Sequence, residues 1–283
     1  MQIWEHEKLF EELDPPWDAA PEEELRHEFP QQLELVSRLW FETGLRPGIA
    51  AHLNLVLLCE LSLTHDREFP DRFHSMRSVR RSFLATDRLL RDVTDSGKHP
   101  TGGISSPRVQ ASLAFVSDRL RKSSVPRWMP TYVAWSLVEC VERAAPEIGA
   151  EEKRLHLGYM TKAFRLTGLR FTDRREQIVE FARHVEGAHT GRSPFVARHA
   201  RNLLLLAEML GVSTEYHELA PLLSETPRKL FREIYPEVRP EGWQRHLARA
   251  SGRFATPDAG QPRRAVQSTA WRRPAITEPS AED

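Results

Sequence analysis

The chain reads as an all-α protein, and three observations predict it. Apolar residues recur at three- and four-residue spacings through most of the body, cap-then-proline starts and glycine stops punctuate those stretches, and no alternating run bounded by hairpin turns is present. The 283 residues divide into an acidic arm at 1–29, a helical body at 30–255 and a tail at 256–283, with flexible termini expected around a single multi-helix domain. The arm carries "DPPWDAAP" and lacks a sustained period, so it packs through Trp4 and Trp17 or not at all. The tail is rich in Pro, Arg, Ser and Ala without a period, a disordered composition.

Each helix of the body has its own warrant. "QQLELVSRLWFET" (31–43) sets Leu33, Val36 and Trp40 at helical spacing, and "LRPG" breaks it. "IAAHLNLVLLCELSL" (49–63) is the most apolar run but is shorter than a bilayer span and interrupted by His52, Asn54 and Glu60, which makes it a core helix. The stretch 71–97 is a long helix closed by Gly97, and "KHPTGGISSP" is a loop. "RVQASLAFVSDRLR" (108–121) places Val109, Leu113, Val116 and Leu120 on one stripe, with polar Ser117 inside it. "WMPTYVAWSLVECVERAAP" (128–146) turns Val133, Leu137 and Val141 inward and stops at Pro146. "GAEEKRLHLGYMTKAFRLTGL" forms the next helix. Three more follow, with caps at Asp173 (Glu176 three residues on), at Ser193 with Pro194 and a stop at Gly211, and at Thr226 with Pro227.

Composition excludes several function classes. Forty Lys plus Arg balance 40 Asp plus Glu, so no global field draws nucleic acid or an anionic membrane. Two cysteines, Cys59 and Cys140, make no disulfide framework, and the charged opening lacks a signal-peptide layout, so a cytoplasmic location is expected. Phosphate loops, strand-linked glycine fingerprints, serine elbows, paired-cysteine zinc motifs and HExxH are all absent. His184 and His189 stand five apart, the wrong spacing for two ligands on one helix face. For His52, His74 and His156, a hydrogen-bonded, partly buried imidazole is expected ahead of a ligand. Glu151 and Glu152 suit a first helical turn better than an acid/base dyad, and the basic "MRSVRRSF" (76–83) has the planar donors to hold phosphates or propionates, but Asp71, Asp87 and Asp92 nearby favour a solvated or salt-bridged face.

Taken in order, "RVQASLAFVSDRLR", "YVAWSLVECVERAAP", "GAEEKRLHLGYMTKAFRLTGL", "FTDRREQIVEFARHVEGAH" and "ARNLLLLAEMLG" resemble the latex-clearing-protein and MpaB-like oxygenase family, over roughly residues 30–250 and most strongly from 108 to 190. The resemblance implies a globin-reminiscent all-α fold, haem b between helices, and dioxygen chemistry on a hydrophobic small molecule. One family helix carries an arginine four residues before a threonine and at times a lysine just ahead of it. Thr86 matches the threonine in "RRSFLATDRLL", whereas Ser82 and Ala85 occupy the other two places. On the next helix Arg121 takes the place of an arginine, and Ser117 falls where the family has its proximal histidine. A serine hydroxyl is a poor haem ligand. No histidine stands between 100 and 155, which leaves His74 and His156 as weak ligand candidates, with Cys140 and Tyr159 beside them. The resemblance therefore implies an oxygenase or oxidoreductase with a non-standard ligand in which Thr86 and Arg121 contact dioxygen or propionates. The alternative is a haem-free, catalytically silent member that binds a small molecule, Ser82, Ala85 and Ser117 lining the inherited cavity, or that acts as a protein partner.

Overall fold

The structure is a computed structural model that describes residues 4–13, 30–58, 76–95, 103–121, 126–188 and 194–255. Twelve α-helices and one 3-10 turn occupy these residues, with no strand among them. In chain order they are α1 (Trp4–Glu12), α2 (Pro30–Thr43), α3 (Arg46–Leu58), α4 (Met76–Thr94), α5 (Pro107–Arg121), α6 (Trp128–Ala144), α7 (Ala150–Leu166), α8 (Arg175–Ala188), α9 (Pro194–Met209), α10 (Tyr216–Leu219), the 3-10 turn Ala220–Leu222, α11 (Glu225–Val238) and α12 (Gly242–Ala255). The all-α expectation holds, and no described helix is long and apolar enough to cross a membrane.

The centre of the molecule is α3, which packs on α6, α9 and α11. A helix apolar all round must be covered all round, and every residue from Ile49 to Leu58 is buried. Small residues bring neighbours close: a β-carbon on Gly48 would meet the Phe83 ring at 3.3 Å. The polar positions inside α3 are satisfied rather than exposed. His52 Nδ1 shares a 2.8 Å hydrogen bond with the Gly48 carbonyl, and burial lowers the pKa of its ring. Asn54 accepts from the Ser224 amide at 3.3 Å.

Helix α6 was expected to bury one stripe, yet it buries Tyr132, Trp135, Val138 and Cys140 as well as Leu137 and Val141, because α3, α2, α7 and α8 surround it. One connected core runs from Phe10 to Val238. The amino-terminal arm joins it through α1, which docks on α8 by burying Phe10 and Leu13, residues the aperiodic sequence concealed; the Phe10 and Phe181 rings lie 6.0 Å apart. The side chain of Trp4, and all of Trp17, lie outside the described residues.

Helix ends follow local chemistry. Glycines close three of the described helices in the left-handed conformation that side chains resist, Gly44 after α2 (φ +66°) and the two that follow. Gly168 (φ +79°) follows α7, with Gly168 N–H donating to Arg165 O at 2.8 Å and Leu169 N–H to Phe164 O at 3.2 Å. Gly211 (φ +75°) closes α9 in the same way, where the sequence places its stop. At the start of α7 the Gly149 amide donates to Glu152 at 3.0 Å, so the two glutamates do serve the first turn. The α11 cap differs from expectation. The helix begins at Glu225 with Ser224 as its cap, and Pro227 sits in the first turn, where a missing N–H costs nothing.

Candidate functional site

The residues matched to the oxygenase family lie on α4 and α5, which pack against each other. Phe83, Leu90 and Val93 of α4 and Val109 and Leu113 of α5 enter the common core. Thr86 is half-buried, whereas Ala85 and Arg121 are exposed. The Ser82 side chain and all of His74 lie outside the described residues. Ser117 is half-buried, and a β-carbon on Gly168 would stand 3.0 Å from its hydroxyl oxygen. The turn that ends α7 thus sits directly against Ser117, which gives a small side chain there a packing reason. Ser112, one helical turn and a half earlier, is the α5 serine that bonds back to a carbonyl, at 3.1 Å to Arg108 O.

The other ligand candidates have spent their donor atoms. His156 is fully buried, and its Nε2 accepts a hydrogen bond from Trp40 Nε1 at 3.1 Å. An indole nitrogen only donates, so the ring proton belongs on Nδ1, which faces Glu142 Oε1 at 3.2 Å. Tyr159 donates to Val93 O at 2.7 Å and accepts from the Ile104 amide at 3.3 Å. Cys140 donates to Leu222 O at 3.2 Å, lies 3.7 Å from the Asn54 amide nitrogen, and has its thiol pKa pushed up by burial. The donor chemistry of these three side chains therefore does not fit an iron ligand. Among the described residues no cluster of three or more His, Cys, Asp or Glu side chains could hold a metal ion.

The polar chain that begins at Trp40 and His156 leads outward to a cleft. Glu142 Oε1 accepts from both His156 and Arg175, the latter at 2.7 Å. Burial alone would raise the Glu142 pKa, but those two hydrogen bonds outweigh it and hold the carboxyl below its ordinary range. Arg175 also stands 5.6 Å over the Trp135 ring and bonds the Lys153 carbonyl at 3.5 Å, so its guanidinium is gripped from three sides.

A second set of side chains holds the segment from Pro221 to Ser224 as a strap beside α6. Arg143 donates to the Leu222 carbonyl at 3.2 Å and to the Leu223 carbonyl, and its other nitrogen bonds Glu139 at 2.7 Å. Arg228 donates to Pro221 O at 3.2 Å and Leu223 O at 2.7 Å. Deeper in, Tyr132 donates to Glu186 at 3.1 Å. Burial raises the pKa values of Glu186, Glu139 and Tyr132; the Glu139 charge adds to the effect on Glu186, and the Glu142 charge to that on Glu139. For Glu139, Arg143 works in the opposite direction.

Between the strap and the carboxy-terminal half of α6 lies an open cleft of about 510 Å³, lined by Glu139, Glu142, Arg143, Pro146, Lys153, Arg175, Pro221 and Arg228. Four cations face two carboxylates. Each carboxylate already has its cation, Glu139 with Arg143 and Glu142 with Arg175. The arrangement is suited to binding a polar or charged small molecule and offers no nucleophile backed by a base. Sequence reasoning reached His156 as a satisfied buried histidine but missed every residue lining the cleft. The available signal was "ECVER" in an otherwise apolar helix, where Glu139, Glu142 and Arg143 recur at three and four and share a face. No protein-family model matches the chain, and neither a curated protein nor a solved structure does.

Proposed function

We propose that the protein is a haem-independent helical binding protein whose ligand site is the cleft between α6, the first turns of α7, α8 and α11, and the strap at 221–224. The observation that supports this reading most is the pairing of two facts: the described ligand candidates of the oxygenase pattern have their donor atoms engaged, while the cleft presents cations in excess of carboxylates. Turnover is not part of the reading, since the cleft groups are ion-paired binders rather than an acid, a base or a nucleophile in reach of one another.

The test is the visible absorption spectrum of the protein purified from cells supplied with haem precursor, with a pyridine haemochrome assay, repeated on Ser117→His after addition of haemin. The expected result is a colourless wild type and no Soret band in the variant, because the Gly168 turn occupies the space beside residue 117. A stoichiometric Soret band in the wild type would overturn the proposal and return the protein to the oxygenase reading, with Thr86 and Arg121 as the first positions to mutate.

A further inference from the structure

We infer that the cleft selects a ligand carrying two negative charges close together, a phosphate group or a short dicarboxylate. The inference rests on the binding reading above and adds the chemistry of the ligand. Its basis is which cations in the cleft are already neutralised. Arg143 and Arg175 each hold a carboxylate, at 2.7 Å in both cases. Arg228 does not: both of its hydrogen bonds go to main-chain carbonyls, which orient the guanidinium without cancelling its charge, and Glu225, whose carboxylate feels that charge, is already paired with Lys229 at 2.7 Å. Lys153 has no ion pair or side-chain hydrogen bond among the described residues, although its backbone carbonyl is held by Arg175. Two uncompensated cations thus line one opening.

The unused donors agree with that count. The Arg228 and Arg175 bonds all come from Nη2, so the Nε and Nη1 groups of both forks remain for a ligand. A planar fork beside a mobile ammonium is a combination suited to phosphate and carboxylate oxygens. Ordering differs between the two cations. Arg228 is oriented by the Pro221 and Leu223 carbonyls, whereas the Lys153 side chain has no such hydrogen bond among the described residues. A neutral ligand would leave both charges unanswered, and a monoanion would leave one.

Isothermal titration of the full chain at constant ionic strength tests the inference with three probes, inorganic phosphate, succinate and the neutral butane-1,4-diol. The expected result is saturable binding of phosphate or succinate, weakened about tenfold or more in Lys153→Ala, as loss of a charge-assisted hydrogen bond implies. The Lys229→Ala variant serves as control, because that exposed lysine lies on the same helix as Arg228 but pairs with Glu225 at 2.7 Å outside the cleft. It should keep the wild-type affinity. Stronger binding of phosphate would assign a phosphate-bearing ligand, and stronger binding of succinate a dicarboxylate. Binding of the diol with both dianions silent would overturn the inference while leaving the binding reading intact. Dianion binding that is equal in wild type and Lys153→Ala would place the anions elsewhere and also overturn it, and silence of all three probes would remove the inference too. A haem-loaded protein would instead defeat the binding reading, and the spectrum reports that separately.

Discussion

Replacing Gly168 by alanine, alone and together with Ser117→Ala, probes whether the end of α7 really closes against α5. Gly168 has φ +79°, a left-handed conformation that costs an L-residue about 1–2 kcal/mol. Alanine also restricts the unfolded chain, which offsets about 0.4–1 kcal/mol of that cost. The backbone contribution is therefore a destabilisation of about 1 kcal/mol. The new methyl would also lie 3.0 Å from the Ser117 hydroxyl oxygen, inside the roughly 3.5 Å of a comfortable contact, and forcing the two apart adds about 0.5 kcal/mol. Ser117→Ala by itself loses a hydroxyl with no hydrogen bond among the described residues, so its effect stays within about 0.5 kcal/mol. In the double variant the collision disappears. Urea unfolding of the four proteins then gives Gly168→Ala about 1.5 kcal/mol less stable than wild type and the double variant less destabilised than the sum of its parts by about 0.5 kcal/mol. Simple additivity would refute the contact between Ser117 and the turn, and with it the packing reason for a small residue at 117.

The remaining expectations concern the buried polar groups. Glu142→Gln should cost about 2 kcal/mol by urea unfolding at neutral pH, less than a fully buried pair because Arg175 reaches solvent. Because the folded Glu142 pKa lies below the ordinary value of 4.5, its stabilisation is present above that value and lost as pH falls through the folded one, so the variant should show a flatter acid limb. Glu186 has the opposite sign: its raised folded pKa makes the protonated form the one the fold prefers, so its contribution is fully present below the unfolded value and lost as pH rises through the folded one. Glu186→Gln should accordingly gain stability relative to wild type on the alkaline side, and a constant difference across pH would count against that burial. Cys140, tested in a Cys59→Ser background, should resist an aromatic disulfide reagent until denaturant is added, since its thiol is buried and its pKa is raised; rapid native labelling would contradict the packing of α6 against the strap.

Local signals made much of the fold legible. The end of α9 at Gly211 and the first turn of α7 at Glu152 follow from backbone chemistry confined to a few residues, and α3 announces its burial by having no polar face. The docking of α1 was hidden because Phe10 and Leu13 are too few to establish a period. The α11 start was misjudged at Thr226 because a proline is accommodated anywhere in a first turn, and Ser224 two residues earlier serves equally well as a boundary. The cleft was illegible for another reason. Its cations come from α6, α7, α8 and α11, separated by up to 85 residues between Arg143 and Arg228, and each alone resembles a solvated surface charge. Pairing is what distinguishes them, and pairing is a property of the assembled chain. His156 was placed correctly as a satisfied histidine, but its partner Trp40, 116 residues away, leaves no mark in the local pattern.

The polar insert in the central helix bears on the order in which the molecule comes together. Asn54 sits on a helix in the first quarter of the sequence, yet the groups it meets stand 86 residues later at Cys140 and 170 residues later at Ser224. Contacts of such separation must wait for long loops to close, which slows folding and leaves intermediates exposed. Until the strap arrives, the most apolar helix of the body carries an uncovered amide. A nascent chain cut before residue 220 would therefore present α3 and α6 as an incomplete, adhesive surface, and chaperone engagement during synthesis should persist until the last third has emerged.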